Sequence, residues 1–162
     1  MSSVPPAQAV LQARLDAMPP VRAMAVQVAS ATPERVCLHA PLAANVNDKG
    51  CAFGGSIAGL MTLAGWGLLV ARVDGAALPA VEVYVADSTI RYLAPLYQAI
   101  EAQAWLHDAS HWEPTLQRLR ERGRASLNVQ AQVLGPDGKP VASMDARFAL
   151  VTAMAGDTAR LG

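Results

Sequence analysis

Apolar and polar residues change period several times along the chain, and each change marks an element. Over 7–18, Val10, Leu11, Leu15 and Met18 share one helical face, and Pro19-Pro20 stops the helix. Met24, Val26 and Val28 then alternate with Ala25, Gln27 and Ala29, the period of a strand. Val36, Leu38 and Ala40 repeat that period after a turn at Thr32-Pro33-Glu34, which predicts a hairpin. An Asn- and Gly-rich loop over 43–55 feeds a predicted helix, Gly55 to Val73. Ile57, Leu60, Met61, Ala64, Leu68 and Ala71 form one stripe on it, and Leu63, Trp66 and Val70 form another. A helix apolar nearly all round is a buried helix. Its Gly59, Gly65 and Gly67 each weaken a helix by about 1 kcal/mol, so close approach of neighbouring backbone is expected there.

Val81, Val83 and Val85 open a long strand that runs to Leu93 and ends before Pro95, and a further strand covers Ile100 to Leu106. Residues 108–122 are polar and hold a short helix with Pro114 near its start. Leu127, Val129, Ala131 and Val133, then Met144, Ala146, Phe148 and Leu150, alternate with polar residues. Gly135-Pro136-Asp137-Gly138 joins these two runs as a hairpin. Clean alternation and short hairpins predict an antiparallel sheet, and only one helix is long and apolar enough to cover its apolar face. The predicted class is α+β: one long buried helix on a curved antiparallel sheet of five or six strands. With no repeat and no linker, residues 1–162 read as a single domain, with a helical extension at 1–20 and a flexible tail at 153–162.

Composition narrows the class further. Thirteen basic and thirteen acidic residues leave a formal net charge of zero, so no nucleic-acid partner is expected. Low net charge also permits self-association. Cys37 and Cys51 make no disulfide framework and fit a reducing compartment, and Met1 to Ala9 lacks the pattern of a signal peptide. Cys51 to Ala71 carries no charge and approaches the ~20 residues of a membrane span. Its strongly apolar part is only Ile57 to Ala71, and glycines interrupt it, so no span is expected. The protein is read as cytoplasmic.

Three segments then carry a resemblance. They are Asn47-Asp48-Lys49-Gly50-Cys51-Ala52-Phe53-Gly54-Gly55-Ser56, Leu63 to Leu69 of the helix, and Asp87 to Pro95. In order and spacing, residues 20–152 resemble the hotdog-fold thioesterases, and most closely the thioesterase family typified by the C-terminal domain of YiiD. The resemblance implies a hotdog fold and a homodimer, with a dimer of dimers as the next step up. It also implies active sites between subunits and substrates that are acyl thioesters of CoA or of acyl carrier protein. No metal and no cofactor is implied.

The same residues also carry a chemistry of their own. A thioester carbonyl needs a donor for its developing oxyanion, and free N–H groups at a helix N-terminus offer one. Gly54, Gly55 and Ser56 sit where such groups would lie; the alternative is that Gly-Gly merely makes a tight turn. Those thioesterases carry an Asp or Glu two turns into the helix, where this chain has Thr62, and a His before the Gly pair, where it has Phe53. Asn47 matches an Asn that they use. The expected catalytic set is therefore Asn47, Asp48, Gly55 and Thr62, with Asp48 as the carboxylate nearest the Gly pair. The expected substrate contacts are Phe53, Gly54 and Ser56 from the first segment and Asp87, Ser88, Arg91 and Tyr92 from the third.

Each residue also has a plainer reading. Asp48 is an ordinary turn residue on that reading. Asp87 continues the face of Val81, Val83 and Val85 toward the core unless a bulge turns it to solvent or Arg91 pairs with it. Ser56 is a first-turn residue rather than a nucleophile. Cys37 with His39 supplies two ligands, too few for zinc, and Cys51 is an inert thiol. Arg118, Arg120, Arg122 and Arg124 form a basic run that faces solvent by default, or CoA phosphates. Two other activities compete with hydrolysis: non-catalytic acyl-thioester binding, and hydratase or dehydratase chemistry. The latter is disfavoured because His39, His107 and His111 all lie outside Asn47–Thr62.

Overall fold

A computed structural model describes residues 6–153. The elements are α1 (Pro6–Asp16), α2 (Pro19–Ala23), β1 (Gln27–Ala31), β2 (Val36–Ala40), α3 (Gly54–Asp74), β3 (Val81–Tyr92), β4 (Ile100–Leu106), α4 (Trp112–Arg122), β5 (Arg124–Leu134) and β6 (Pro140–Thr152). The strands form one antiparallel sheet in the order β1-β2-β4-β5-β6-β3. The long α3 lies against it, touching β2 through β6. This is the α+β hotdog architecture that the resemblance implied.

The core is what the alternation dictated. Ile100, Ala102, Ala104 and Leu106 of β4, Leu127, Val129, Ala131 and Val133 of β5, and Met144, Ala146, Phe148 and Leu150 of β6 are all buried. They meet Ile57, Leu60, Met61, Ala64 and Leu68 of α3. Among the described residues α3 is the only helix long and apolar enough to cross a membrane, and it is the core helix of the fold. Its glycines answer to side chains, not to the neighbouring backbone that was expected. A Cβ on Gly65 would sit 3.0 Å from Phe148 Cζ, and one on Gly67 would sit 3.0 Å from Leu11 Cδ2.

Two local expectations are corrected at the N-terminal side. Pro19-Pro20 stops α1, but it also opens α2, because a proline in a first turn forfeits only an N–H that the helix leaves unpaired anyway. The following strand then begins at Gln27 rather than Met24: Met24 caps α2, and Ala25 takes a positive φ of 55°. At the other end of the sheet, Asp108 caps a 3₁₀ turn. The hydroxyl and backbone N–H of Ser110 donate to it at 2.6 and 2.9 Å and hold its carboxyl below the usual range.

The two sheet edges differ. Gln12 Oε1 accepts from the Val28 N–H at 2.7 Å, while Gln8 and Gln12 donate to the Val28 and Val26 carbonyls. The glutamines of α1 thus occupy backbone groups that β1 would otherwise leave open. β3, at the opposite edge, spans 12 residues and is exposed along most of its length. Ala153 closes the described chain by donating to the Ala80 carbonyl at 2.9 Å. Residues 1–5 of the expected N-terminal extension, and the expected tail from 154 onward, lie outside the described residues.

Candidate active site at the N-terminus of α3

The loop before α3 is a small hairpin. Val46 bridges Ala52, the Asn47 N–H donates to the Cys51 carbonyl at 2.8 Å, and Gly50 turns the tip with φ 80°. Asn47 staples this loop together. Its amide oxygen accepts from the N–H groups of Lys49 at 2.8 Å and Cys51 at 3.2 Å, and its NH₂ donates to Cys51 Sγ at 3.2 Å. Asp48 rides at the tip, its side chain 80% exposed, with the Lys49 ammonium 2.9 Å away. An ion pair that exposed holds its partners weakly.

At the base of the hairpin the Phe53 N–H donates to the Asn45 carbonyl at 2.7 Å. Asn45 itself is buried, and its NH₂ donates to the Met24 and Pro41 carbonyls at 2.9 and 2.8 Å. It fixes where the chain enters α3. Sequence reasoning passed over it, since Asn45 and Asn47 look alike until one is buried and the other is not. The Ala52 N–H adds a second tether, to the Leu96 carbonyl at 2.7 Å.

Phe53 is the N-cap of α3 and supplies no side-chain acceptor to its first turn. The first N–H groups of a helix have no intrahelical partner, and the dipole there favours negative charge. Two aromatic rings frame this end. The exposed Phe53 ring lies over Gly55, where any Cβ would collide with it, and the Tyr92 ring lies 3.5 Å from where a Cβ on Gly54 would be. The Tyr92 hydroxyl donates to the Gly54 carbonyl at 3.2 Å. β3 and the start of α3, 38 residues apart in sequence, are thereby joined at this point. Ser56, one residue further in, is buried.

Thr62 lies two turns down. Its hydroxyl donates to the Ala58 carbonyl at 2.9 Å and sits 3.7 Å from Met144 Sδ. Between Gly54 and Val73 α3 carries no carboxylate, and Asp74 at its far end pairs with Arg14 at 2.9 Å.

In the third segment Asp87 takes the bulged alternative. A bulge between Val85 and Asp87 puts two residues of β3 against one of β6 and resets the alternation of sides. Val83 is buried, Val85 is already exposed, and Asp87 faces solvent rather than the core. Its carboxylate is bound not by Arg91 but by Arg147, whose Nε and Nη2 donate at 2.9 and 2.7 Å. Ser88 and Arg91 are exposed as well. His107 and His111 line shallow grooves on the polar face of the sheet, beside Asn128 and Arg147. His39 lies on β2, so no histidine joins the loop and the helix end. Among the described residues no three His, Cys, Asp or Glu cluster as metal ligands would.

The structure thus brings Phe53, Gly54, Gly55 and Tyr92 together. It sets Asn47 inside its own loop and Asp48 at that loop's tip.

Comparison with known proteins bears on the family and the fold. The family model described as "Putative thioesterase (yiiD_Cterm)" matches residues 8–152. The search of curated proteins finds no match. Among solved structures, a thioesterase, so far described as putative, from Shewanella oneidensis is 28% identical with a TM-score of 0.79, covering 91% of this chain and 98% of its own. A protein of unknown function from Chlorobaculum tepidum TLS has a TM-score of 0.84 at 23% identity, covering 90% of this chain and 94% of its own. A Pseudomonas aeruginosa protein described as a probable thioesterase has a TM-score of 0.76 at 24% identity, covering 91% and 94%. With 145 consecutive residues of this chain matched by the family model, from 8 to 152, the protein belongs to the thioesterase family typified by the C-terminal domain of YiiD.

Proposed function

We propose that this chain hydrolyses acyl thioesters carried by CoA or by acyl carrier protein, as a homodimer in the cytoplasm. The observation that carries the reading is the uncapped, glycine-built start of α3 framed by Phe53 and Tyr92. In the proposed site the thioester carbonyl sits against the N–H of Gly55 or Ser56, where developing negative charge meets free donors and the helix dipole. Asp48 activates the attacking water, and Asn47 holds the loop that carries Asp48. Thr62 lines the pocket below. Gly54, Phe53, Ser88, Arg91 and Asp87 contribute substrate contacts. The two thiols, Cys37 half-buried and Cys51 buried, are free, which suits a reducing compartment.

A thiol-release assay across acyl-CoA chain lengths and acyl carrier protein tests the activity. Because α3 lacks a carboxylate before Asp74, a non-catalytic acyl-thioester binder is the second reading. Saturable acyl-CoA binding with no thiol release at any chain length would decide for it.

Tyr92 has a specific part in this scheme. A hydrogen bond to the Gly54 carbonyl polarises the Gly54–Gly55 peptide and sharpens the Gly55 N–H as a donor. Tyr92→Phe removes that one bond and should lower kcat by about 3- to 10-fold, the worth of one neutral hydrogen bond. KM should stay nearly constant. A rise in KM with unchanged kcat would instead make Tyr92 a binding contact.

The sheet edges support the dimer. β1 is covered by α1, whereas β3 presents an open edge with exposed Tyr84, Val85 and Tyr92. An open edge of this length invites strand pairing, here with the same strand of a second copy. Light scattering at micromolar concentration should give twice the 17.0 kDa chain mass. A monomer at that concentration would refute the pairing.

A further inference from the structure

We infer that a cleft at the C-terminal end of α3, lined by Arg72 and Trp112, binds a small amphipathic carboxylate of the medium-chain fatty acid type. The cleft has a volume of about 340 Å³, and its walls are mainly apolar, including Ala31, Ala76 and Leu116. Arg72 lies 18 residues beyond Gly54 on α3, which puts it roughly 27 Å from the proposed acyl site at 1.5 Å per residue.

Arg72 is the unusual group here. It is half-buried on a helix otherwise lined with apolar residues, and its guanidinium stacks 5.0 Å from the centroid of the Trp112 ring. Its Nε is buried and donates to no acceptor among the described residues. It joins no ion pair among them either, although Glu34 and Glu113 are near enough to act on it through space. Burial depresses its pKa, with those two carboxylates opposing the shift. Yet a guanidinium cannot give up its proton to relieve the cost. A half-buried guanidinium with no ion pair among the described residues can take up an anion brought into the cleft.

The walls decide which anion. A phosphate is strongly hydrated and gains nothing from Ala31, Ala76 and Leu116, and a second negative charge is repelled by Glu113 on the same rim. A monoanion with an apolar tail satisfies both. A second cleft of about 150 Å³ between α1 and α3, lined by Val10, Leu11 and Val70 with Asp74 at its edge, shares Ala7 and Ala71 with the first and is the place for the tail. The carboxylate sits at Arg72 above Trp112, and the chain runs along Ala71 under α1. This assignment stands on the cleft alone and does not depend on the hydrolase reading, although the product of that proposed reaction is an acid of this class.

Calorimetric titration of the full chain with octanoate, octan-1-ol and inorganic phosphate tests it. Octanoate should bind saturably, octan-1-ol about tenfold or more weaker for want of the charged hydrogen bond, and phosphate not measurably. Arg72→Gln should weaken octanoate about tenfold or more and leave octan-1-ol unchanged. Glu113→Gln, on the exposed rim, should tighten octanoate. Neither variant touches the helix N-terminus, so thiol release from acyl-CoA should persist in both. Octanoate that also enters the acyl site is recognised because acyl-CoA displaces it and Arg72→Gln does not affect it. Should Arg72→Gln fail to fold, Ala71→Leu narrows both clefts and must weaken octanoate by itself. No saturable binding at millimolar octanoate, or equal binding by the parent and a folded Arg72→Gln variant, overturns the site.

Discussion

Asp48→Asn should lower kcat for acyl-CoA hydrolysis by about 10²–10⁴-fold, the usual contribution of a positioned general base. Along α3 and its loop the other candidates fail one by one. The Thr62 hydroxyl already donates to Ala58 and remains neutral near pH 7, so it cannot take a proton from water. Both ends of the Asn47 carboxamide are engaged inside the loop. Asp74 lies at the far end of the helix and is paired with Arg14. Asp48 is the remaining carboxylate on the segment that leads into the Gly pair. Its contact with Lys49 is too exposed to hold it back. Asn fits the same turn and the same volume, so the hairpin, the dimer and acyl-CoA affinity should survive the substitution. Steady-state kinetics and a binding titration on the one variant separate these effects. Full activity in a folded dimer would remove Asp48 from the mechanism and make Asp87 the next carboxylate to replace.

The fold was legible because each element repeats one period long enough to be read. β4, β5 and β6 alternate cleanly, and α3 is apolar all round, which leaves one way to stack them. What the residues alone concealed are the places where geometry breaks a period. A bulge was one of the alternatives open for Asp87, but its partner was not legible: the carboxylate goes to Arg147 on the neighbouring strand rather than to Arg91. Pro19-Pro20 carries the same signal for a stop and for a start, and here it is both.

At the candidate site, the place of the Gly pair at the start of α3 was legible from the apolar helix that follows. Its aromatic frame was not. The contact between Tyr92 and Gly54 joins residues far apart in sequence, and no local pattern encodes it. Asn45 was missed for a related reason. Its role comes from burial and from carbonyls of Met24 and Pro41 that only the folded chain brings near.

Phe148→Ala should cost about 3–5 kcal/mol of stability, the range for deleting a large aromatic from a closed core. Phe148 is fully buried on β6, where its backbone neighbours are Val85 of β3 and Leu127 of β5. Its ring approaches α3 at Gly65, 3.0 Å from where a Cβ would stand, and Val129 crowds the same point at 3.2 Å. The helix comes this close to the sheet because position 65 has no side chain, and Phe148 fills the space so created. Removing the ring leaves a void that neither the strand ladder nor α3 can close without moving. For a domain of this size, each kcal/mol corresponds to roughly 2–4 °C, so the melting temperature should fall by roughly 6–20 °C at fixed protein concentration. Gly65→Ala should also destabilise, by about 1–3 kcal/mol, but from overpacking rather than from a void. The two substitutions therefore couple with a defined sign. In a Phe148→Leu background the added methyl meets a smaller neighbour, and Gly65→Ala should cost at least about 0.5 kcal/mol less than in the parent. Chemical denaturation of the four proteins measures that difference. Strict additivity would mean that the helix and the sheet are not held apart by this pair, and that the glycine serves some other contact.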